Sequence, residues 1–140
     1  MASLENLETV ENDLESKAEE IDESKQELEE AQNKLAKIEE AISNIEDNEV
    51  KEKLEGNKES REQDVEAAKD KLQNLESDLD ELESDYENMK QENNTSKTEL
   101  NSLTSIGEDV SEAMQVVESR SAAIEQGKNK IKELKNKING

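Results

Sequence analysis

The sequence predicts an all-α protein, an elongated antiparallel three-helix bundle or coiled coil, and three observations carry that prediction. Apolar residues recur every seven positions over most of the chain, there is no Pro and only four Gly, and 41% of the 140 residues are charged. A repeat of seven sets apolar side chains in one stripe along a helix, and the charged remainder covers the other faces. Leu, Ile and Val make up only 27 of the 140 residues and the net charge is −21. That composition also occurs in disordered chains. Periodicity decides between the two classes, because a disordered chain has no reason to keep its apolar residues on one face.

The first helix is predicted over about 3–46. Its a positions are Leu7, Leu14, Ile21, Leu28, Leu35 and Ile42, and its d positions are Val10, Lys17, Ser24, Ala31, Ile38 and Ile45. The second, about 50–92, carries an unbroken seam of Val65, Ala68, Leu72, Leu75, Leu79, Leu82, Tyr86 and Met89. The third, about 97–138, reads Leu103, Ile106, Val110, Ala113, Val117, Arg120, Ile124, Gly127, Ile131, Leu134 and Ile138. The three stretches keep different registers, so in one continuous helix the stripe would wander around the cylinder. Two turns account for the slips. Asp47-Asn48-Glu49 or Gly56-Asn57 can supply the first, and Asn93-Asn94-Thr95-Ser96 or Thr104-Ser105-Ile106-Gly107 the second, since Gly and Asn tolerate positive φ. Ser96 with Glu99, Ser105 with Glu108 and Ser60 with Gln63 all have the spacing of a capping box, and turns at 47–49 and 93–96 are chosen because they give helices of matched length, which bury most of one another. Residues 1–140 are accordingly read as a single helical domain. The rival is a bent or continuous helix whose stripe is covered by another chain.

The residues that are missing exclude most chemistry. Without Cys or His there is no disulfide, no thiolate or imidazole metal site and no nucleophile–His pair. The acidic run Asp78, Asp80, Glu81, Glu83, Asp85 lacks the central Gly of a calcium loop and shares its segment with Leu79, Leu82 and Tyr86, so it reads as a solvated helix face. No enzyme activity, cofactor or metal is expected. A chain at −21 is repelled by phosphate, which argues against nucleic acid. The longest apolar run, Ala122-Ala123-Ile124, is far short of the ~20 residues that span a bilayer. With no apolar leader in the acidic first 30 residues, no membrane partner and a cytoplasmic location are expected, with leaderless export left open. The overlapping sequons at Asn93 and Asn94 read as turn chemistry. The packed Trp of spectrin-type repeats and the Trp-x-Gly turn of small type VII secretion partners are both ruled out by the absence of Trp.

What remains is a protein that works by contact with a protein partner or with itself: a scaffold, spacer or adaptor that forms a homo-oligomer. The alternative is an acidic helical chaperone or secretion escort for a client. The charge distribution directs attention to the last third, where residues 94–140 carry seven acids and seven bases while residues 1–93 hold the whole net charge. There the apolar stripe widens through Val110, Met114, Val116, Val117 and Ala123, with Val116 and Ala123 seven apart on a face off the main seam. Beyond it stands a basic cluster containing Lys130, Lys132 and Lys135. These eight residues are the candidate partner-binding set. With the second turn at 93–96 the basic tail would lie far from the acids of residues 8–30 in its own chain, so its complement would be found only between chains, head to tail.

Overall fold

The computed structural model describes residues 4–140, and among them it is all-α, with three helices packed against each other and no strand. A short 3-10 turn, Leu4–Asn6, leads into α1 (Leu7–Asn44), which is followed by α2 (Asn48–Ser105) and α3 (Ser111–Asn139). No helix among the described residues is long and apolar enough to cross a membrane.

The first turn falls where Asp47 can cap α2. Its Oδ1 accepts hydrogen bonds from the backbone N–H groups of Glu49 (3.0 Å) and Val50 (3.3 Å), satisfying two of the donors that a helix N-terminus leaves unpaired. The second turn departs from the expected 93–96. α2 continues through that segment to Ser105, so α2 has 58 residues and α3 only 29. Two physical reasons account for this. Asn93 is buried, and its Nδ2 donates to the Val117 carbonyl (2.9 Å) and to Ser121 Oγ (2.8 Å), so it belongs to the helix-packing seam. The Ser/Thr-rich stretch after it satisfies its hydroxyls within the helix. Thr95, Ser96, Thr98, Ser102, Thr104 and Ser105 each donate to the carbonyl four residues back.

The chain turns instead at Gly107, whose φ is +89°. Glu108 N–H donates to the Leu103 carbonyl (3.1 Å) and Gly107 N–H to the Thr104 carbonyl (3.0 Å), which is the Schellman closure that a positive-φ glycine permits. Asp109 Oδ1 then accepts from both the backbone N–H and the hydroxyl of Ser111 at the start of α3. These bonds hold the Asp109 carboxyl below the usual carboxylate range. The expectation of matched helix lengths fails because positive φ is needed at the turn, and Gly107 tolerates it at little cost.

Two compact units can be distinguished. One comprises Met1–Ala18 with Ser77–Gly140. In it, Leu4 N–H donates to Glu92 and Lys17 pairs with Asp78, while Lys128 pairs with Glu87 and Lys135 with Asp80. Rising numbers on α1 and on α3 thus meet falling numbers on α2, so both run antiparallel to it. The core of this unit holds Val10, Leu14, Leu79, Leu82, Tyr86, Met89, Val117, Ile124, Ile131 and Leu134.

The other unit, Glu19–Glu76, is a hairpin of the rest of α1 with the start of α2. Lys71 on α2 pairs with Glu27 on α1 (3.4 Å). Ile21, Val65, Leu72 and Leu75 are buried there, while Leu28, Leu35, Ile38, Ile42 and Leu54 are only half-buried. Two helices cannot enclose a seam as three do.

The position of the second turn has a direct test. Inserting a short Gly-Ser segment after Gly107 lengthens a loop and costs ~0.6 kcal/mol per doubling of its length. The same insertion after Asn94 breaks α2 beside a buried side chain and costs on the order of 3 kcal/mol. Thermal denaturation followed by circular dichroism should give a near-parental melting temperature for the first variant and a large fall for the second.

Candidate functional site

The sequence-derived partner-binding residues do not form one surface. Val117 is buried in the core, Val110, Met114 and Ala123 are half-buried, and Val116 is exposed. Lys130 and Lys132 are exposed, but Lys135 is occupied by its own chain, with Nζ 2.5 Å from Asp80 Oδ1 and 2.9 Å from Glu83 Oε2. Its neighbour Lys128, at the start of the cluster, sits 2.6 Å from Glu87. The expectation that the basic tail finds acids only between chains therefore fails for these two lysines. With the turn near 107 instead of 93–96, α3 lies beside the acidic half of α2. Hydrogen bonding to Lys128 holds the Glu87 carboxyl below its usual range, and the same bond raises the Lys128 ammonium. Bonds to Asp80 and Glu83 raise Lys135. The acidic run 78–85, read as a solvated face, thus provides partners for Lys17 as well as Lys135.

A different surface emerges at the end of the α2–α3 hairpin. Leu4, in the 3-10 turn before α1, meets α2 at Glu92. Nearer the α2–α3 turn, Leu103 is 41% and Ile106 74% exposed, and Val116 on α3 is 48% exposed. Leu100, Ala113, Val116, Val117 and Arg120 line a groove between the two helices, with Thr95, Ser96 and Glu99 at its margin. Because the hydroxyls of this stretch of α2 are bonded to their own backbone, the surface is less polar than its composition suggests. The heptad pattern puts Leu103 and Ile106 on a seam, and the structure leaves both exposed. Leu100–Gly107 is the longest run in the chain without a charged residue, which by itself favours burial rather than exposure.

A second groove brings Ala123 and Lys130 together with Glu11, Leu14, Tyr86 and Gly127. Tyr86 is fully buried and its hydroxyl has no hydrogen-bond partner. The ring lies across the bare backbone of Gly127, where a Cβ would fall 2.5 Å from Tyr86 Oη and 2.6 Å from Cε1. This explains a glycine at a seam position in the middle of α3: its missing side chain is the seat of the only aromatic ring in the chain. Burial, with a smaller contribution from the nearby Glu11 carboxylate, pushes the phenol up to about 12. A neutral, unpartnered phenol of this kind packs and is not poised for acid–base chemistry.

Compared with known proteins, the chain matches no family model, no curated protein and no solved structure.

Two predictions follow from the Tyr86–Gly127 seat. Gly127→Ala gains ~0.5–1 kcal/mol of helix propensity but overpacks a fixed ring at about 1–3 kcal/mol. Urea denaturation should show a net loss in the parent and a neutral or favourable effect in a Tyr86→Leu background. The pH dependence of Tyr86 has a definite sign. Its folded value lies above the ordinary 10.0, so its contribution to stability is complete below pH 10 and is lost as the pH rises through about 12. Tyrosinate absorbance of this single-Tyr chain should titrate near 12 in the folded protein and near 10 in urea.

Proposed function

We propose that this chain is a non-enzymatic protein-contact module, a scaffold or adaptor whose contact surface is the end of the α2–α3 hairpin. One observation carries the reading. Near the turn between α2 and α3 the large apolar residues Leu103, Ile106 and Val116 are open to water, while Leu79, Tyr86 and Met89 of α2 are fully buried. In a chain with so few apolar residues, large side chains left exposed add nothing to its own core, and exposed apolar surface is what contact sites in soluble proteins present. The acidic faces of α1 and the first part of α2 keep the molecule in solution. The missing nucleophile–His chemistry and the buried, neutral Tyr86 support a role in binding rather than in catalysis.

The reading is tested by placing a photo-crosslinking amino acid at Ile106 in the full chain, expressed in its own cells, with Glu66, exposed on the other unit, as the control. A discrete protein adduct at Ile106 and none at Glu66 is the expected result. No adduct at Ile106, or equal labelling at the two positions, would overturn it.

A further inference from the structure

We propose that the tip of the α1–α2 hairpin, residues 32–61, is a conformational device that opens and closes as one unit while the base of the same hairpin, at Ile21, Val65, Leu72 and Leu75, stays closed. The proposal is independent of the contact surface assigned to the α2–α3 hairpin.

Burial divides the α1–α2 hairpin. Ile21 and Ser24 on α1 and Val65, Ala68, Leu72 and Leu75 on α2 are buried. From residue 25 to residue 64 no residue is. Leu35, Ile38, Ile42 and Leu54 keep the heptad spacing but are only half-covered.

The seam is interrupted where the two parts join. Counting back from Val65 in the same repeat, the next positions are Arg61, Lys58 and Leu54. Two cations in succession thus stand where the stretch from Val65 to Met89 places apolar side chains. Their acids lie on their own helix. Lys58 pairs with Glu62 (4.0 Å) and Arg61 with Asp64 (3.3 Å), so neither pair ties α2 to α1. At the base, by contrast, Lys71 reaches across to Glu27. Arg61 also shares a groove with Lys34 and Lys37 of α1, and no acid lines that groove. The charges that face each other there repel.

Gly56 weakens the tip further. It sits inside α2 without a positive φ, and a Cβ built on it would meet nothing within 4 Å. Neither a turn nor a close approach calls for a glycine here, unlike Gly107 and Gly127. Its effect is to lower the helix propensity of α2 at the tip. Within this unit each stripe is covered by the other helix alone, so neither tip segment is held once the other leaves. Elements that move on binding come from the least stable part of a fold. Opening here bares Leu35, Ile38, Ile42 and Leu54 on two freed segments.

Amide hydrogen exchange of the full chain, read by NMR at low urea concentrations, tests this. The amides of Leu35, Ile38, Ile42 and Leu54 should share one protection factor, at least about 100-fold below that of Leu72 and Leu75, and should fall together as urea rises. Gly56→Ala should raise protection about three- to fivefold at Leu54 and by the same factor at Leu35 and Ile42 on the opposite helix, leaving Leu72 and Leu75 unchanged. Lys58→Leu with Arg61→Leu, which completes the seam, should raise protection across the tip at least about tenfold. Equal protection of tip and base would overturn the proposal. So would protection that declines residue by residue toward the turn at Asp47, or a Gly56→Ala effect confined to α2.

Discussion

How many helices share a stretch of seam governs this molecule. Its apolar residues are too few to wrap a helix all round, so each helix depends on neighbours to cover a single stripe. In the unit built from residues 1–18 and 77–140, Leu79, Tyr86, Met89, Ile124 and Ile131 lie where three stripes converge, and all are essentially inaccessible. In the same unit, Leu103 near the end of α2 and Ile106 in the turn after it are not covered by a third helix among the described residues, and they remain open. In the hairpin of residues 19–76, Leu28, Leu35 and Ile38 fall between these extremes.

Packing within the three-helix unit is made specific by a few irregular side chains. Tyr86 needs the vacancy at Gly127, which fixes the height of α3 against α2. Asn93 adds a directional bond to the Val117 carbonyl, and its Oδ1 is left without a partner. A repeat of Leu and Ile alone would tolerate sliding by one heptad, whereas a ring in a notch and a buried amide would not. The ion pairs from Lys128 and Lys135 to the acids of α2 act in the same sense. Each involves an exposed carboxylate and is individually weak, so their value lies in matching the one basic helix end to the acidic face beside it.

Several features were legible in the residues alone. The all-helical class follows from the repeat of seven. The first turn lies at the expected 47–49, where the Asp47 carboxylate caps α2, although the matched helix lengths that favour that site do not hold. The seam from Val65 to Met89 is buried throughout. The second turn was not legible, because Asn93–Ser96 and Thr104–Gly107 offer the same kinds of residue. Local propensity cannot tell a buried Asn from a turn Asn, nor a hydroxyl bonded to its own helix from one that breaks it.

The sequence by itself determined that this chain is helical, that its helices bear single apolar stripes, that its charge is concentrated before residue 94, and that it lacks the side chains for nucleophile–His or thiolate chemistry. These are properties of composition and period, which act through neighbours a few residues apart. Only the tertiary structure decided which stripes meet. By turning at Gly107 it set the basic end of α3 against Asp80, Glu83 and Glu87, buried Val117, and left Val116, Leu103 and Ile106 uncovered. The physical reason is that a heptad specifies a face but not its partner. The partner is chosen by where the chain turns, at Gly107, and by the shape of Tyr86 against Gly127, a contact between residues distant in the chain.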